Sequence, residues 1–133
     1  MAQNEYITIT DITHAHLKQF PDVVLQTYVD EANDWYEDLG LQKQVVPEDL
    51  AFPVSIVSRR CLSNYVVSRF AEDSIGSNNI EISDDDMYVR MADEFKVIYE
   101  GLKVQLTPEL MRGVSDANPK SRSVSTGKLY RTA

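Results

Sequence analysis

The sequence predicts a mainly α fold: a small bundle of about four helices, opened by a short extended N-terminal segment and followed by an extended C-terminal arm. Three observations predict it. Apolar residues recur at helical spacing over three long stretches, Leu25 to Leu39, Val54 to Phe70 and Met87 to Leu102. Pro21, Gly40, Pro53 and Gly76 stand near the ends of those stretches, where helices start and stop. After Gly113 the periodicity is gone, which divides the chain into a helical bundle domain at 1–113 and an arm at 114–133.

The elements follow in order. Tyr6-Ile7-Thr8-Ile9-Thr10 alternates and is rich in β-branched residues, so it reads as the extended opening. Thr10 or Asp11 can cap a short first helix carrying Ile12, Ala15, Leu17 and Phe20, which Pro21 ends. Asp22 then caps a second helix whose apolar stripe is Leu25, Tyr28, Val29, Ala32, Trp35, Tyr36 and Leu39, with Gly40 as its stop and Trp35 expected in the core. Residues 41–52 are a connection with a helical turn at Pro47-Glu48-Asp49-Leu50.

Pro53 suits the first position of a third helix, striped by Val54, Val57, Cys61, Leu62, Tyr65, Val66 and Phe70 and ended by Gly76. Gly76-Ser77-Asn78-Asn79 is turn material, and Ile80-Glu81-Ile82 extends briefly before Ser83. Ser83-Asp84-Asp85-Asp86 has a capping pattern that sets three carboxylates against the open N–H groups of a fourth helix. Met87, Met91, Phe95, Ile98 and Leu102 are its expected buried face, and Gly101 within it implies a close approach or a bend. Thr107-Pro108-Glu109 caps one further turn through Arg112, and Gly113 ends it.

Composition bounds the function. With 133 residues, 43% of them hydrophobic and 26% charged, the chain can bury one core without disulfides or metals. Cys61 has no partner for an internal disulfide, and Val57, Leu62 and Tyr65 around it mark an apolar filler in a reducing or indifferent compartment. Met1 to Glu5 lack the basic start and apolar run of a signal peptide, and no stretch approaches the roughly 18 apolar residues of a membrane span, so no membrane partner is expected.

No pattern of catalytic, cofactor-binding or metal-binding residues emerges. His14 and His16, two apart on a helix, would face about 200° away from each other and could not share one ion. Asp84, Asp85 and Asp86 lack the glycine and alternating ligands of a calcium loop. Cys61 on an apolar face has no histidine base arranged beside it. Arg59, Arg60 and Arg69 form the one basic cluster of the body, and Glu72 and Asp73 are within helical reach of it, which favours ion pairs over a phosphate site.

Charge is divided unevenly. Residues 1–112 carry 9 Lys+Arg against 20 Asp+Glu, a balance of −11, whereas 113–133 carry 4 against 1, a balance of +3. An acidic body does not wrap nucleic acid, since affinity for phosphates comes from cations and counterion release. The arm holds too few apolar side chains to fold alone. Arg122, Val124, Lys128, Leu129, Tyr130 and Arg131 are therefore its expected partner-binding residues, ordering along an edge or groove of another protein.

The layout also resembles a family. Tyr6-Ile7-Thr8-Ile9-Thr10-Asp11, then Ala32-Asn33-Asp34-Trp35-Tyr36 with Leu39-Gly40-Leu41, then Tyr88, Phe95 and Tyr99, then Leu106-Thr107-Pro108-Glu109-Leu110-Met111 resemble the head–tail connector (adaptor, or head-completion) proteins of tailed bacteriophages. The likeness covers about residues 6–112, and the linker at 41–52 is longer than in many members. It implies a non-enzymatic virion protein at the head–tail junction, assembled in the host cytoplasm. In that family a homo-oligomeric ring, commonly a dodecamer, sits under the portal protein and contacts neighbouring connector or tail-completion proteins. DNA then leaves through its channel without sequence-specific binding. The alternative is a small acidic regulator or inhibitor that binds a basic protein partner.

Overall fold

The computed structural model describes residues 2–75 and 82–113, with only the backbone described for 82–86. Among the described residues the fold is mainly helical and has no strand. Four α-helices run in order: α1, Asp22–Gln42; α2, Ile56–Ser74; α3, Ile82–Gln105; and α4, Pro108–Met111. Short 3-10 turns occur at Ile9–Asp11, Leu17–Gln19 and Pro47–Asp49. The number of helices is the expected one, but its membership is not.

The helix expected over 10–20 does not form. The Thr8 N–H donates to Asp11 Oδ2 at 2.8 Å, which closes a single turn, and Ile12 leaves it in extended backbone at φ −87°, ψ 105°. So short a segment cannot repay helix nucleation alone. The core instead takes Ile12 and Leu17 one at a time, both buried. The extended opening is likewise cut short at Ile9, and Ile7 is held by a side chain rather than by a strand. Asn33 of α1 accepts the Ile7 N–H at 3.0 Å and donates to the Ile7 carbonyl at 3.2 Å. One turn on, Glu37 accepts the Gln3 N–H at 2.8 Å and the Tyr6 hydroxyl.

Helix α1 buries Leu25, Val29, Ala32, Tyr36 and Leu39 as its period requires, with Tyr28 and Trp35 half-buried at the margin. Gly40 does not stop it. Gln44, at φ 66°, is the left-handed residue, and the Val45 N–H returns to the Gly40 carbonyl at 2.7 Å while the Gln44 N–H bonds Leu41, the paired bonds of a Schellman cap. Gly40 is needed for a different reason: a Cβ there would lie 3.0 Å from the Val45 oxygen and 3.2 Å from Leu50. The turn at Pro47–Asp49 forms where proline places it.

Helix α2 starts later than expected, because Ser55 rather than Pro53 opens it, accepting the Ser58 N–H at 3.1 Å. It ends at Ser74 with Ile75 as its cap, while the expected turn at 76–79 and the extended residues 80 and 81 lie outside the described residues. Helix α3 already includes Ile82, which is helical and not extended. The expected capping by Ser83 and by Asp84, Asp85 and Asp86 concerns side chains outside the described residues.

Helix α3 packs chiefly along α2. Ser68 Oγ donates to the Ala92 carbonyl at 2.9 Å and the Cys61 thiol to the Tyr99 carbonyl at 3.5 Å, so small polar groups of α2 approach the α3 backbone. The buried face of α3 is Tyr88, Met91, Ala92 and Tyr99, with Met87, Phe95 and Leu102 half-buried, and Ile98 is 43% exposed. Of the expected stripe only Ile98 turns outward, because tyrosine rings take the contact. Trp35, Tyr65 and Tyr99 form one cluster, with Trp35 stacked on Tyr65 at 4.4 Å and Tyr99 edge-on to both.

Gly101 makes no close approach, since a Cβ there would meet nothing within 4 Å. Gly101→Ala is therefore expected to stabilise the protein by about 0.5–1 kcal/mol through helix propensity, read as a higher urea midpoint at unchanged slope. The Thr107 cap is as expected, its hydroxyl accepting the Leu110 N–H at 3.1 Å, and Met111 is buried beneath it.

Candidate functional site

The partner-binding residues expected in the arm, Arg122, Val124, Lys128, Leu129, Tyr130 and Arg131, all lie outside the described residues. What the structure places is the root of the arm. Gly113 sits at φ 88° with its Cα against Ala51, where an added Cβ would come within 2.9 Å of the alanine methyl. The Ala51 N–H donates to the Met111 carbonyl at 2.9 Å. Gly113 therefore lies against the α1–α2 connection, in which Phe52 is 58% exposed, and Ile56 at the start of α2 is 70% exposed. Leu41, in the last turn of α1, and Val46 of the connection are also exposed. On α3 a second apolar line, Val97 and Val104 flanking Gly101, faces outward.

Arg69 is the centre of a polar network that joins α1 to α2. Its Nε donates to Glu31 Oε2 at 2.6 Å, and its other nitrogens reach Glu72 and Asp73. The Tyr65 hydroxyl donates to the same Glu31 oxygen at 2.8 Å, and Tyr28 donates to Asp73 at 2.9 Å. The hydrogen bond to Glu31 holds the Arg69 guanidinium charged more firmly than usual. Burial, aided by its bond to Asp73, pushes the Tyr28 hydroxyl up to about 12. The three nitrogens of Arg69 and both tyrosine hydroxyls each find a carboxylate, which is the arrangement of a strut between helices.

Arg59 and Arg60 belong elsewhere, so the basic cluster expected from sequence is two features. Both line a cavity of about 400 Å³ with Ile12, His14, Ser63, Asn64, Val67 and Phe95. Arg59 lies 3.9 Å from Asp11, a loose pair, and Arg60 makes no ion pair among the described residues.

Among the described residues no group of three or more His, Cys, Asp or Glu is placed to hold an ion. His16 Nε2 lies 2.8 Å from the Tyr88 hydroxyl, and the ring meets Phe20 edge-on. His14 packs edge-on to Phe95 at 5.2 Å, and its Nδ1 is buried without a hydrogen-bond partner. Burial, and then the charge of His16, depress its pKa below the usual imidazole value of 6.5. The unfolded chain thus binds this proton more readily than the folded one. Stability is expected to hold above about pH 6.5 and to fall as the pH drops below it, a dependence that His14→Phe should weaken in urea titrations at a series of pH values.

Cys61 is fully buried, and burial pushes its thiol up to about 12, far from the thiolate a nucleophile needs. No helix among the described residues is long and apolar enough to cross a membrane. Sequence reasoning did not single out Asn33, Glu37 or the Arg60 cavity. A polar pair four apart on the inner side of α1 was the available signal for the first two. The third needed the fold, because it brings residues near 12, 60 and 95 together. In the comparisons with known proteins, no family model, no curated protein and no solved structure matches this chain.

Proposed function

We propose that this chain is a structural assembly protein, a head–tail connector that forms a ring under the portal of a tailed phage and reaches a neighbour with its arm. The observation that supports the reading is that Gly113, after which the arm begins in sequence, lies against Ala51 of the α1–α2 connection, where Val46 and Phe52 are exposed. Exposed apolar residues in that connection and a basic segment too poor in apolar side chains to fold alone are what a tethered docking element requires. Repeated around a ring, individually weak arms act at high effective concentration. The acidic body would repel DNA in a channel and let it slide. The absence of catalytic roles from this reading rests on Cys61, which is buried, and on the Arg69 network, which is internally matched.

Exposed Asp30, Asp34 and Asp38 at four-residue spacing on α1 favour the second reading, an acidic regulator of a basic protein. One experiment separates the two. Native mass spectrometry and negative-stain imaging of the chain with portal protein should give a ring bound to portal, and deleting 120–133 should abolish that binding with an unchanged circular dichroism spectrum. A chain that stays monomeric beside portal protein, or a truncated one that still binds it, overturns the connector reading.

A further inference from the structure

The cavity beside Arg59 and Arg60 has no part in the reading above. Its volume of about 400 Å³ lies between the 10–14 segment, α2 and Phe95 of α3, within the range of about 300–1,000 Å³ common for small-molecule sites. Residues 59, 60, 63, 64 and 67 follow one face of α2 at spacings of three, four and seven, so a single helix grades the wall from charged to polar to apolar. Buried Ile12 and Val67 and half-buried Phe95 supply the apolar part.

The charges at the mouth are unbalanced. Asp11 is the one carboxylate among the lining residues and is already engaged, accepting the Thr8 N–H at 2.8 Å and lying 3.9 Å from Arg59. Arg60 has no ion pair among the described residues, in a body with 20 acidic against 9 basic side chains. Arg69, by contrast, meets three carboxylates.

We propose that this groove binds a phosphomonoester borne on a flat apolar body, the chemistry of a nucleoside monophosphate. Arg59 and Arg60 hold the phosphate, Ser63 and Asn64 lie along its path inward, and the flat body rests against Phe95 and Val67. The two arginines that line the cavity offer more donors than one carboxylate can accept, whereas a dianionic phosphate with three terminal oxygens can engage both. An aromatic edge and a branched aliphatic chain suit a planar ring better than a sugar.

The test is a ¹⁵N NMR titration of the full chain with adenosine 5′-monophosphate, with inorganic phosphate and adenosine as partial probes. Saturable shifts confined to residues 10–14, 59–67 and 95 are expected, with each partial probe weaker by roughly tenfold or more. Arg59→Ala combined with Arg60→Ala should weaken the nucleotide by a similar factor. Both arginines are exposed, so the spectrum away from the groove should be unchanged and the loss attributable to the site. Linear, unsaturated shifts, undiminished binding by the double variant, or displacement of the nucleotide by a short DNA duplex at equal phosphate concentration would overturn the assignment. The chain is tested alone, so the result does not depend on ring assembly.

Discussion

Tyr36→Ala is expected to cost about 3–5 kcal/mol, the range for truncating a fully buried aromatic residue. Tyr36 is 1% exposed and meets Tyr6 at a ring distance of 5.1 Å, so truncation opens a cavity between α1 and the N-terminal segment. Its hydroxyl also shares a 2.8 Å hydrogen bond with Ser58 of α2. Tyr36→Phe separates the two contributions: it keeps the ring, removes the hydroxyl and should cost only about 1 kcal/mol, since Ser58 still receives the Ser55 hydroxyl. Urea unfolding of the two variants checks this. Equal losses would mean that the hydrogen bond, not the packing, ties α1 to α2.

Asn33→Ala is expected to cost about 2–4 kcal/mol, because it strands two buried backbone groups at once. Its side chain, 2% exposed, is the partner of both the N–H and the carbonyl of Ile7, a residue with no accessible surface. No neighbouring strand stands ready to take over. Asn33→Asp keeps the acceptor and loses the donor, and it adds a charge beside the buried carbonyl oxygen, so it should not rescue. Hydrogen exchange at the Ile7 amide is the sharper readout. It should rise by more than global unfolding accounts for if the N-terminal segment detaches first.

The sequence made α1, most of α2 and the Thr107 cap legible for the same reason: each carries a long period or a capping residue whose bonding is local. The segment 10–20 misled because its apolar spacing imitates a helix over barely two turns, too few for periodicity to discriminate. Side-chain support of backbone, as at Asn33 and Glu37, is invisible to any pattern of apolar residues. An asparagine on the inner side of a helix signals that something polar is inside, without saying what. The face of α3 was legible except at Ile98, which stays outside while Tyr88 and Tyr99 bury their rings although tyrosine is amphipathic. Of the candidate surfaces, the charged residues of the groove could be named from sequence, but their separation from Arg69 is a product of helix packing.

The contact between Gly113 and Ala51, with the 2.9 Å bond from Ala51 to Met111, also has a mechanical meaning. A pull applied beyond residue 113 is not borne first by α4 peeling away turn by turn. It loads the Ala51–Met111 hydrogen bond and the Gly113–Ala51 contact, in the connection between α1 and α2. A tether rooted in that way resists force better than one hung from a frayed helix end, and a bulky side chain at residue 51 or 113 would loosen it without touching the tether itself.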